Sequence, residues 1–207
     1  MQICTMKQMK KKNVILIKRN FIFKRIAHIV CAEKNQKEEV SIMFEKFGEL
    51  NSVEELNKAA AGLKEEGDVA SLIVLAEENG LDKEDAEDYA AGEMEELATP
   101  CTAAHGRLKV ESEDLKIAGV LMDWVDEIRQ ECLENEKVCA GVMNHSLTGY
   151  MAILLEKGFE EKALVDKRIV QQAKEVAKVA GNHGISIGFP NLAERKETIR
   201  AYYGGTK

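Results

Sequence analysis

From Met43 onward the chain reads as a string of short amphipathic helices separated by one- to three-residue turns, and this punctuation restricts the fold more than any other feature. Ser52 opens the series. With Glu55 three residues later it has the spacing of a capping box, in which hydroxyl and carboxylate each take up a backbone N–H left unpaired by the first turn. A helix is therefore expected from about Val53 to Glu66. Gly67 stops it, because glycine enters the left-handed conformation without a Cβ penalty. Asp68 caps a second helix, whose apolar positions Val69, Leu72, Ile73, Leu75 and Ala76 recur at helical spacing up to Gly80. Asp82 caps a third, with Ala86, Tyr89, Ala90 and Leu97 on its inner side and an end before Pro100. Three short helices with such connections make a compact helical module.

Further along, Leu115, Ala118, Leu121, Val125, Ile128 and Cys132 trace one broad apolar stripe, which predicts a long helix from about Glu113 to Glu134. Trp124 sits at the edge of the stripe as a core anchor. Residues 136 to 144 continue as a short helix or turn, Leu147 to Lys157 as another helix, and Asp166 caps one running to about Ala180. Gly181-Asn182-His183-Gly184 is a turn signal. Ile185-Ser186-Ile187 has the character of one short strand, and Asn191 caps a final helix ending at Gly204-Gly205. Arg107 to Glu111 alternates like a strand but is too short to assign. The expected fold is mainly α, a multi-helix bundle with at most one short β element. Its parts are an acidic helical module over residues 43–106 and a second over residues 107–207 built on the long central helix, behind a basic extension over residues 1–42.

Charge sets that extension apart. Residues 1–42 hold ten Lys or Arg and three Glu, net +7, so the other 165 residues carry −14 of the chain's −7 total. Lys10-Lys11-Lys12 followed by Val14 to Ile17 has the outline of a secretory signal, but Lys18, Arg19, Lys24 and Arg25 interrupt it and no small-residue cleavage site follows. Three readings remain: a translated leader upstream of a start at Met43, a basic arm for nucleic acid or acidic surfaces, or an extra element packed on the core. The abrupt switch to acidic amphipathic sequence at Met43-Phe44-Glu45-Lys46-Phe47 favours the first. With 45% hydrophobic and 31% charged residues the chain can bury a sizeable core, and composition excludes both general disorder and a membrane protein. Apolar runs such as Ile117 to Met122 fall far short of the roughly 20 residues a spanning helix needs. Five cysteines, an odd number with no CxxC pair, argue against a disulfide framework or thiolate zinc site and fit a reducing cytoplasm.

Residues able to carry chemistry are few. Asp82 to Glu93 has the length of a calcium loop, but Ala86 stands where an oxygen ligand is needed and Glu87 where the sharp turn needs glycine. These carboxylates read first as the solvated face and favourable first turn of a helix. The bolder reading makes Glu84, Asp85, Glu87, Asp88, Glu93, Glu95 and Glu96 an acidic surface that engages a basic groove in a partner. Cys101 and His105, four residues apart, have a legitimate two-ligand zinc spacing, with Cys132, Cys139 and His145 the only plausible completing ligands. An ordinary buried cysteine beside a solvated histidine is the simpler reading, so no metal is expected. There is no serine elbow, HExxH, GxxxxGK[ST] or GxGxxG, so neither a cofactor nor catalysis is expected. Phe189, Tyr202 and Tyr203 are candidate exposed contacts, read alternatively as core anchors. Lys167, Arg168, Lys174, Lys178, Arg195, Lys196 and Arg200 alternate with glutamates and read as a soluble face that falls short of a nucleic-acid stripe.

Met43-Phe44-Glu45-Lys46-Phe47-Gly48, Glu66-Gly67-Asp68, Asn79-Gly80-Leu81-Asp82 and Glu84 to Asp88 resemble small accessory proteins of conjugative elements and prophages in Gram-positive bacteria. His145-Ser146-Leu147-Thr148-Gly149-Tyr150, the following Leu154-Leu155-Glu156-Lys157, and Gly188-Phe189-Pro190 before a helix ending in Tyr-Tyr-Gly are similar to the same group. The resemblance covers residues 43–207 and brings no catalytic residues. Several proteins of this setting inhibit host defence, so it implies a host protein, such as a CRISPR effector nuclease, as the partner. The alternative is a nucleic-acid-binding factor for element maintenance or transfer that uses the basic extension.

Overall fold

The computed structural model describes residues 44–205; the basic extension and Met43 lie outside them. Mainly helical as expected, the described chain runs α1 (Val53–Glu65), α2 (Val69–Glu78), α3 (Lys83–Ala91), α4 (Pro100–Asp114), α5 (Val120–Glu134), α6 (Glu136–Asn144), α7 (Leu147–Glu160), β1 (Ala163–Leu164), α8 (Lys167–Gln172), α9 (Lys174–Ala180), β2 (Ser186–Ile187) and α10 (Leu192–Tyr202). No single helix among the described residues is long and apolar enough to cross a membrane.

Local chemistry accounts for the helix starts. Ser52 Oγ accepts the N–H of Glu55, and the Glu55 carboxylate takes the N–H of Asn51 at 2.8 Å, one residue earlier than a strict capping box requires. Asp68 accepts from Ser71, and Asn191 with Glu194 completes both halves of its box. Asp82 is different: it occupies the N-cap position of α3 without a side-chain cap, and its carboxylate reaches Lys109 on α4 at 3.6 Å.

Two apolar clusters form the interior. The first gathers Leu56 of α1, Leu72 and Leu75 of α2, and Ala86 and Tyr89 of α3, together with Leu97 and Ala103. The second surrounds Trp124, with Leu108 of α4, Val125 and Ile128 of α5, Val138 of α6, Tyr150 and Leu154 of α7, and Ile199 and Tyr203 at the end of the chain. Helix α4 serves both, with Ala103 in the first cluster and Ala104 in the second, so a boundary between residues 106 and 107 falls inside one continuous helix. Close backbone contact fixes α4 against the α2–α3 turn. A Cβ on Gly106 would collide with the carbonyl of Asn79, and one on Gly80, at φ +72°, with the carbonyl of Gly106.

Several expectations are corrected. The long helix over Glu113–Glu134 is two elements: α4 ends at Asp114, and α5 begins only after Lys116 (φ +51°) and Gly119 (φ +61°) have turned the chain. Arg107 to Glu111, too short to assign from sequence, belongs to α4; its alternation arises because Arg107 and Glu111 are charged yet buried. The third helix stops at Ala91, where Gly92 adopts φ +86°, and Leu97 is buried from an irregular segment. The helix from Asp166 breaks at Ala173 into α8 and α9. The short strand at Ser186–Ile187 exists, and its antiparallel partner is Ala163–Leu164, in the register Ala163 to Ile187 and Leu164 to Ser186.

Candidate functional site

The acidic surface begins with the way α3 is held. Ala86 and Tyr89 are buried beneath it, and Lys64 of α1 donates to the Tyr89 carbonyl at 2.6 Å with its ammonium over the ring. Glu84, Glu87 and Asp88 consequently face solvent, and Asp85 is half-buried. Beyond Gly92 the loop carries Glu93, Glu95 and Glu96, all exposed. This loop is clamped: the Asn57 side chain accepts the N–H of Ala98 at 3.0 Å and donates to its carbonyl at 2.8 Å, while Leu97 is buried beside it. Of the seven carboxylates only Glu87 is ion-paired among the described residues, with Lys83 at 3.0 Å. That bond raises the Lys83 ammonium above its usual range. Glu96 takes one long bond, 3.4 Å, from Asn57.

Next to this surface lies an open polar cleft of about 330 Å³ between the α2–α3 turn and α4, lined by Asp82, Asp85, Thr102, His105, Lys109 and Arg129 among others. One sequence candidate of each kind, Asp85 and His105, thus meets in one place. Cys101 and His105 do touch, with Sγ 3.7 Å from Nε2. The same Nε2 lies 3.1 Å from the carbonyl oxygen of Arg129. A carbonyl can only accept, so Nε2 carries the proton in that bond and cannot take one from the thiol. His105 therefore ties α4 to α5. Cys132 and Cys139 are buried, the Cys139 thiol donates to the Cys132 carbonyl at 3.1 Å, and burial pushes both thiols above their ordinary range. His145 instead packs against Tyr202, with ring centroids 5.3 Å apart and planes tilted by 49°. Among the described residues no group of three or more ligands is arranged to hold a metal ion.

The aromatic candidates divide. Phe189 is exposed and meets Trp124 edge-on at 6.2 Å. Tyr202 is half-buried, its hydroxyl donating to the Ser146 carbonyl at 3.2 Å. Tyr203 is corrected from surface contact to core anchor: it is buried, its backbone lies against Gly141, where any Cβ would collide with the Tyr203 carbonyl, and burial pushes its hydroxyl above the ordinary phenol range, so that it stays un-ionised. Tyr203 lies inside the cluster around Trp124, and Tyr202, next to it in the chain, packs against the edge of the same cluster.

Three cations of the last helix reach carboxylates of α5, Arg195 from a partly buried position and Lys196 and Arg200 from the surface. Arg195 forms a two-bond pair with Glu127 at 2.8 and 2.7 Å, and Arg200 another with Glu131 at 2.8 and 3.1 Å, to which Lys196 adds a contact at 3.4 Å. The Arg200 hydrogen bond holds the Glu131 carboxyl below the ordinary carboxylate range. Sequence reasoning missed a further polar cluster. Arg107 donates from Nε to Glu111 at 2.6 Å and from Nη2 to Glu49, under the Phe44 ring, while the other Glu111 oxygen takes the N–H of Leu147 at 2.5 Å. The i,i+4 spacing of Arg107 and Glu111 was the available signal. No family model, curated protein or solved structure matches the chain.

Proposed function

We propose that the protein acts by occupying a basic surface of another macromolecule with the carboxylates of α3 and the loop after it. The observation that carries this reading is the imbalance of charge: Glu84, Asp85, Asp88, Glu93 and Glu95 have no cation partner among the described residues, on a backbone held by Tyr89, Leu97 and Asn57. Unpaired, similarly spaced charge on a rigid support suits a basic groove, because little ordering entropy is lost when the partner arrives. Grooves of that kind are the nucleic-acid channels of guided nucleases, lined by Lys and Arg. The resemblance to mobile-element accessory proteins supplies the setting, and the partner is then a host defence protein such as a CRISPR effector nuclease, inhibited by competition with its nucleic acid. The alternative, direct nucleic-acid binding, gains nothing from Arg195, Lys196 and Arg200, which are spent on Glu127 and Glu131, and rests on residues 1–42.

The test is a binding titration against a purified guided nuclease with and without its nucleic acid, using wild type and the fourfold variant Glu84→Lys, Asp85→Lys, Glu87→Lys, Asp88→Lys. Wild type should compete with nucleic acid and weaken as salt rises, and the variant should not bind. Equal binding by the two proteins overturns the reading.

A further inference from the structure

The stretch from Lys162 to Ala180 is hard to account for in a single copy of the chain. It contains α8, of six residues, and α9, of seven, yet buries only Val170 and Ala180. Helices this short are marginal without packing, since nucleation costs more than one or two turns return. Meanwhile Leu164 is 71%, Ile169 63% and Val179 87% exposed. Lys162, Lys167, Arg168, Lys174 and Lys178 against Asp166 and Glu175 leave the stretch net +3, in a chain whose residues 43–207 sum to −14.

Elsewhere on the same chain is a surface of the opposite kind. An open groove of about 480 Å³ runs along α1, with Phe47, Leu50, Ala59 and Leu63 as its apolar lining and Glu55 and Glu66 among its polar residues. The groove's own charged lining is Glu55 and Glu66 against Lys58, net −1, within residues 45–66 that together sum to −3. Gly62 lies in the groove with nothing among the described residues within 4 Å of where its Cβ would stand.

We infer that the Lys162–Ala180 lobe of one copy docks into the α1 groove of a second copy. The match is one of apolar character and of sign: an exposed cationic apolar element meets an open apolar groove with net negative charge around it. Because lobe and groove are different surfaces, the contact is heterologous, and each copy that offers its lobe keeps a groove free for another. An anionic membrane is a poorer occupant, since helices of six and seven residues give too short an amphipathic face to lie in it; the acidic body feels long-range repulsion from a membrane and from a second copy alike. Between copies the same long-range repulsion is cut off by salt, whose screening length is about 8 Å at physiological strength, while charges at the contact lie within it. The association should therefore persist from low to physiological salt.

Light scattering on the full chain over a concentration series tests the inference with two variants. Val179→Glu alters a fully solvated helix position in the lobe. Gly62→Arg fills the groove and replaces glycine within a helix, so it should raise the unfolding temperature and cannot act by unfolding the protein. Wild type should associate, and each variant alone should weaken association by about tenfold or more, the loss expected for a central contact. Mixed together, the variants should form one-to-one dimers, since the Val179→Glu chain keeps its groove and the Gly62→Arg chain its lobe. Monomeric wild type at all concentrations overturns the inference, as does association untouched by both variants, a mixture that stays monomeric, or a monomer that binds anionic vesicles through the lobe.

Discussion

Along α3 and the loop after it, seven carboxylates meet one ion-paired lysine, whereas between α5 and α10 Glu127 and Glu131 are each met by arginine in two-bond geometry. In sequence the two regions look alike, each a run of charge at helical spacing. The difference lies in what stands opposite. A carboxylate facing solvent costs the fold little and remains free to be recruited. One facing the interior must be paired, because desolvating an uncompensated charge costs several kcal/mol. Charge density alone therefore does not identify an interface; unpaired charge on a fixed backbone does.

The comparison breaks most visibly at Glu111. It is nearly fully buried and holds both Arg107 and the N–H that starts α7. Glu111→Ala leaves the buried Arg107 guanidinium with the exposed Glu49 alone as counter-charge and orphans the N–H of Leu147, and the expected loss is about 3–5 kcal/mol of stability in a denaturant titration. The double change Arg107→Met, Glu111→Leu should recover much of that loss, since removing both charges removes the desolvation cost. A single variant as stable as wild type would show that the interior charges are no more constrained than those on α3.

What could be read from sequence follows the same division. Helix starts at Ser52, Asp68 and Asn191 were legible because a cap is a bond between residues two or three apart. The turn between α4 and α5 was not, because the apolar stripe continues through it and Lys116, a residue with no special licence for positive φ, takes part in it. Strand β1 was hidden as well: two residues acquire strand geometry only from β2, on the far side of α8 and α9. Solvent exposure along α3 could be inferred from its run of acids, and Tyr89 was correctly placed on the inner side. The Asn57 clamp that fixes the following loop is a tertiary contact with no local signature. Arg107 and Glu111 misled because a charged pair in the interior interrupts the apolar period on which a helix assignment rests.

A smaller effect, with a pH signature, is expected at Glu131. Its carboxyl is held low chiefly by the hydrogen bond from Arg200, so in the fold it binds its proton less readily than in the unfolded chain. The stabilisation is present above the unfolded carboxylate value of about 4.3 and is lost as pH falls through the lower folded value. Arg200→Gln should lower the unfolding midpoint at neutral pH, and its difference from wild type should narrow as pH falls from the unfolded carboxylate value through the lower folded one, below which both proteins carry a neutral Glu131. A difference that stays constant down to that pH would assign the Arg200 contribution to packing of its alkyl stem.

The smallest change in stability belongs to the region of greatest proposed functional weight. Reversing Glu84, Asp85, Glu87 and Asp88 together removes one solvent-exposed ion pair, with Lys83, and no buried bond. Four lysines near the α3 N-terminus do oppose its dipole. Beside Lys83 they also repel one another, but at largely solvent-exposed positions both terms are screened and small, so the thermal midpoint should fall by only about 2–4 °C. The measurement matters because the same variant tests partner binding. If it unfolds, then Asp85, half-buried and lining the cleft beside His105, is the member to restore first, since it alone of the four has a wall of protein against it. A threefold variant that keeps Asp85, folds and still fails to bind would place recognition on the open face of α3, whereas recovery of binding would move its centre into the cleft.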